Sequence, residues 1–123
     1  MVNDPVEIVR VYDDPGRQGN EHRVLVHRLW PRGRSRDAVD LDQWVKDASP
    51  TTELRRWYGH DPERSPEFSR RYQAELALPP ETDVISKLRE ASMIRRLVLL
   101  TATRDVEHSA ATVLRDVIAS GTR

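Results

Sequence analysis

Three short apolar runs punctuate the chain, and between them apolar residues recur with the period of a helix. Val6–Tyr12 is rich in β-branched residues and stops at Asp13-Asp14-Pro15-Gly16, a turn sequence. Arg23–Leu29 forms the second run, with Val24, Leu25 and Val26 at its centre and Pro31 and Gly33 as its stop. The third, Leu97–Thr101, is apolar without alternation. Such a run needs cover on both faces, which predicts a central strand over 97–102, parallel to 23–29. The polar stretch 13–22 leaves the direction of the first strand open: it suits a wide hairpin or a short crossover.

The remaining segments read as helices. Asp40 with Gln43 resembles a capping box, and Leu41, Trp44, Val45 and Ala48 share one helical face. Ser49-Pro50 suits the N-cap and first position of a second helix carrying Leu54, Trp57 and Tyr58 and ended by Gly59. Ser65-Pro66 repeats the signal before Phe68, Tyr72 and Leu76, and Pro79-Pro80 ends that helix. A fourth opens at Thr82 or Asp83 and buries Val84, Ile85, Leu88 and Ala91. Asp105 can cap the last, whose stripe is Ala110, Val113, Leu114, Val117 and Ile118 and whose stop is Gly121. Trp44 and Trp57 are expected to lie mostly buried against the sheet. The pattern predicts one small α/β domain over 1–123, with about three mainly parallel strands and four to five helices packed on the sheet in two or three layers.

Composition narrows the chemistry. Hydrophobic residues make up 37% of the 123 and charged residues 33%, enough for one modest core. Lys+Arg and Asp+Glu both number 20, so no overall field of one sign draws the chain to nucleic acid or a membrane. There is no cysteine, which excludes disulfides, thiolate catalysis and cysteine metal sites and fits a reducing, cytoplasmic setting. No apolar run approaches a membrane span, and Met1–Asn20 lacks the core of a signal peptide. The four histidines show no metal-ligand spacing, so no metal is assigned. No cofactor motif stands out either: the loop after the third strand lacks the glycines of a P-loop.

Candidate ligand-binding residues collect where two strands end. Arg28 and Arg32 flank Trp30, and guanidinium forks fit carboxylate or phosphate. Thr101, Thr103 and Arg104 follow the third strand, which if parallel brings them to the same sheet edge. His60 and His108 are candidates for acid–base work, since imidazole titrates in the useful range. The competing structural account pairs Arg28 with an acid of this chain, such as Asp40 or Asp105, places Trp30 in the core and leaves Asp105 as a helix cap. Arg55-Arg56 and Arg70-Arg71 read as solvated helix faces.

Several segments together resemble the YeaO-like family of small bacterial proteins, a branch of a domain family of unknown function. The specific part is Arg28-Leu-Trp-Pro-Arg-Gly33. Trp44 and Lys46, Pro50-Thr51, Leu54-Arg55, Trp57, His60, Phe68, Tyr72, Glu75-Leu76, Ala102, Arg104-Asp105, His108 and Leu114 add matching spacing over nearly the whole chain. The resemblance implies a small α/β domain with no established activity and no catalytic assignment. The family usually has Asp where this chain has His27, and Asn where it has Ser109. A carboxylate base at the strand end therefore does not carry over.

The favoured reading is binding of a small anionic ligand, bearing phosphate or carboxylate, at the C-terminal edge of the sheet. Hydrolase- or transferase-type chemistry is left open. The alternative is a nucleic-acid-associated or protein-interaction module built on the basic turn Arg32–Arg36. Oligomeric state is not legible.

Overall fold

A computed structural model describes residues 6–120. Four strands, β1 Val6–Arg10, β2 Glu21–Leu25, β3 Gln43–Trp44 and β4 Arg96–Thr101, form one sheet in the order β1-β4-β2-β3. Every pairing is parallel. Helices α1 Thr52–Tyr58, α2 Ser65–Leu76 and α3 Glu81–Ile94 lie between β3 and β4, and α4 Ala110–Ser120 follows β4. Among the described residues no helix is long and apolar enough to cross a membrane.

The central position of β4 follows from its composition. Val6 and His22 both register on Leu97, and Val9 and Leu25 both register on Leu100, one from each side. Leu97 and Leu99 join the larger core with the helices, whereas Val98 and Leu100 enter a smaller core on the other face. All four are fully buried. Each such side chain contributes about 1.5–3 kcal/mol. The helices share one face; the other is covered by segments of the β1–β2 and β2–β3 connections through Val11, Trp30 and Val39. The arrangement is a two-layer one, and the stretch between β1 and β2 is a crossover, because the two run parallel on opposite sides of β4.

Several expected elements differ. The sheet has four strands because 40–48 is not a helix. Gln43 and Trp44 register on Val24 and Leu25, and the N–H groups of Asp42 and Val45 donate to the carbonyls of Arg23 and Leu25 at 2.8 and 2.9 Å. The open edge of β2 carries peptide groups that need partners, and this demand overrides a short helical period. Asp40 binds Arg17 rather than capping a helix. β2 stops at Leu25, so Arg28, Leu29 and Trp30 belong to the following loop. Thr51, not Ser49, is the N-cap of α1: its hydroxyl accepts from Leu54 N–H at 3.2 Å. Gly59 ends that helix at φ 54° as expected. α4 begins at Ala110, and Asp105 accepts from His108 in a turn before it. Gly121 lies outside the described residues. Trp44 and Trp57 are half-buried, not core. Lys46 and Arg36 lie over the Trp44 ring, and Arg64 and Arg71 lie over Trp57.

Candidate functional site

β2 and β4 end side by side, and the chain beyond each end walls a pocket of about 210 Å³. Val26, His27 and Arg28 come from the β2 side, and Thr101 and Thr103 from the β4 side. Ser49, Pro50 and Arg55 come from the segment entering α1 and from its outer face. Tyr58 and Phe68 make an aromatic floor, their rings stacked at 4.1 Å and 12°. Ser109, Ala110 and Ala111 place the start of α4 at the wall. The first N–H groups of a helix lack intrahelical acceptors and form its positive end.

The electrostatics have one sign. Arg28 donates to the Pro50 carbonyl at 3.4 Å and Arg55 to the Thr52 hydroxyl at 3.3 Å. Among the described residues no carboxylate lies within ion-pair distance of either, and no carboxylate lines the pocket. The pairing of Arg28 with Asp40 or Asp105 does not occur: Asp40 binds Arg17, and Asp105 binds His108 at 2.9 Å. Ser49 is 9% exposed, and its buried hydroxyl has no hydrogen-bond partner. Leaving such a group unsatisfied costs about 1–3 kcal/mol.

His27 is held in one tautomer. Ala102 N–H donates to its Nε2 at 3.0 Å, and the Thr101 hydroxyl lies 3.0 Å from the same atom. A backbone N–H can only donate, so Nε2 is unprotonated and the proton of the neutral ring sits on Nδ1. Burial, and then the charge of Arg55, push the His27 pKa below its ordinary 6.5. The native state therefore binds fewer protons than the unfolded chain as pH falls through that value. The stability this provides is complete above about pH 6.5 and is lost progressively below it, toward the folded-state pKa. Stability of the parent in urea unfolding should fall as pH drops below about 6.5, and His27→Gln should flatten that dependence. Identical pH profiles for the two proteins would remove His27 from this role.

The expected site residues separate into two groups. Arg28, Thr101, Thr103 and His60 line the pocket, and Arg104 lines an adjoining hollow. Trp30 and Arg32 line neither. Trp30 packs edge-on to Trp44 at 5.3 Å on the opposite face and donates to the Arg34 carbonyl at 2.6 Å. Arg32 is exposed, and its carbonyl accepts from Tyr12 at 2.8 Å. His108 is engaged with Asp105. Arg55, His27 and Ser49 were not candidates from sequence: their patterns are those of a helix surface, a strand and a cap. Among the described residues no three His, Asp or Glu side chains gather as a metal site.

The family model described as the inactive DUF488-N3 subclade matches residues 5–123. The chain belongs to this family. It is also similar to the uncharacterized protein YeaO of Escherichia coli, at 34% identity over 94% of this chain and 97% of that protein. Uncharacterized proteins of Mycobacterium tuberculosis and Mycobacterium bovis are 40% identical over 92% of this chain and 92% of their own length. The YeaO-like resemblance of the Arg28–Gly33 run thus extends to nearly the full length. No solved structure matches the chain.

Proposed function

We propose that this domain binds a small phosphate- or carboxylate-bearing ligand in the pocket between the ends of β2 and β4 and does not turn it over. The observation that carries this reading is the pair Arg28 and Arg55, two guanidinium groups without carboxylate partners among the described residues, at one small pocket. Charge-assisted bonds from guanidinium are the strong ones, and the dipole of α4 adds to them. Binding without turnover is supported by the family's description as an inactive subclade and by a lining with neither carboxylate nor thiol. In this reading His60 contacts ligand rather than moving a proton. The cytoplasm suits such a chain, which has no cysteine to oxidise. The basic turn is the weaker candidate for nucleic acid or a protein partner, because Arg34 lies over the Tyr12 ring and Arg36 over Trp30 and Trp44.

Thermal shift and calorimetry with inorganic phosphate, a nucleoside monophosphate and a dicarboxylate test this. A binder should raise the melting temperature with concentration. Arg28→Ala and Arg55→Ala should each weaken it at least about tenfold, given about 1.5–3 kcal/mol per charge-assisted bond. Neither should move the ligand-free melting temperature by much, since neither residue holds an ion pair among the described residues. A parent protein that responds to none of the anions, or variants that lose stability without ligand, would overturn the reading.

A further inference from the structure

The pocket has a neighbour. A second hollow of about 490 Å³ is lined by His27, His60, Ala102, Thr103, Arg104 and Asp105. His27, His60 and Thr103 line both spaces, so the two are adjoining chambers with a common wall. The cations are divided between them: Arg28 and Arg55 line the inner chamber, Arg104 the outer. Arg104 is exposed and has neither a hydrogen bond nor an ion pair among the described residues. Asp105, the carboxylate of the outer chamber, is hydrogen-bonded to His108, whose Nδ1 lies 2.9 Å from it, and keeps its negative charge. Arg104 is the one guanidinium of that chamber among the described residues.

The backbone places His60 at the junction. It follows Gly59, the left-handed cap of α1, and is itself at φ 58°. A second successive left-handed residue without glycine's freedom costs on the order of 1 kcal/mol. The result is that the chain leaving α1 carries to the common wall an imidazole with no hydrogen-bond partner among the described residues.

We infer that the site takes a ligand with two anionic groups, such as a diphosphate or a bisphosphate, one group held by Arg28 and Arg55 and the other by Arg104. The inference rests on the anion-binding reading above and adds the ligand's shape. Once the first group is held, engagement of the second is intramolecular, so the affinities compound.

Calorimetry on the full chain would compare inorganic phosphate, pyrophosphate and a hexose bisphosphate at matched ionic strength. At least one two-headed probe should bind at least about tenfold tighter than phosphate. Arg104→Ala should remove that advantage and leave phosphate affinity unchanged. Arg56→Ala, an equal loss of charge at an exposed residue lining neither chamber, should leave the advantage intact. Equal affinity for all three probes overturns the inference while the anion pocket stands. So does an advantage that survives Arg104→Ala, or one lost equally in Arg56→Ala. Failure of the parent to bind any probe overturns both.

Discussion

Arg23→Ala is expected to cost about 3–5 kcal/mol, the loss typical of breaking a buried ion pair by removing one partner. Arg23 is 1% exposed inside β2, and Glu21 beside it is 2% exposed. Its Nη1 donates to the Glu21 carboxylate at 2.9 Å and its Nε to the Asp40 carbonyl at 2.5 Å. Its Nη2 pairs with Asp14. One guanidinium thus gathers the β1–β2 crossover, β2 and the segment before β3, and Arg17 reinforces the same place through Asp40 and Asp42. Alanine leaves the Glu21 carboxylate in the interior with Arg96, 3.9 Å away, as its remaining cation among the described residues. Domains of this kind hold only about 5–15 kcal/mol in total, so the variant should melt on the order of 10–20 °C lower. Urea unfolding of parent and variant checks this. A difference under about 1 kcal/mol would mean that solvent reaches the pair and that the network is ornamental.

Phe68→Ala should cost about 3–5 kcal/mol, as other large aromatic truncations in cores do. Phe68 is 2% exposed and sits between Tyr58, at 4.1 Å, and Tyr72, at 5.8 Å. The two tyrosines are themselves tied down: Tyr58 donates to the His108 carbonyl and Tyr72 to that of Ala48. They cannot readily close over the void, so the cavity term should be large. The void also opens under the anion pocket, of which Phe68 is part of the floor. Anion affinity should fall along with stability, in contrast to Arg28→Ala, which should weaken binding alone. Phe68→Leu keeps most of the volume and forfeits mainly the ring contacts, so a loss of about 1–2 kcal/mol is expected. Equilibrium unfolding of both variants gives the comparison, and a Phe68→Ala loss no larger than that of Phe68→Leu would contradict the stacked-floor account.

Elements whose signals are local were legible from the residues alone. Leu97–Thr101 could only be a two-sided strand, because no alternation leaves a face for water. α2 follows from Phe68, Tyr72 and Leu76 on one face and from a proline pair after it, and the end of α1 from Gly59, whose backbone adopts the left-handed cap readily. The strand ends carrying Arg28 and Thr101 to one edge could be anticipated too, once β2 and β4 were taken as parallel. Trp44 was different. Its spacing with Leu41, Val45 and Ala48 satisfies a helix, yet the unpaired edge of β2 made the extended form preferable, and that edge exists only in the assembled sheet. Ser49 likewise carries a cap-like sequence but lost that role to Thr51, leaving its hydroxyl buried without a partner among the described residues. Arg55 belongs to a charged helix surface in one dimension and to a pocket wall in three. Local chemistry determined that Leu97–Thr101 is a strand, that α2 forms and where α1 ends, because turns, caps and periodicity act over a few residues. Tertiary structure decided which charges stand together without partners, because that depends on contacts between segments that sequence spacing does not encode.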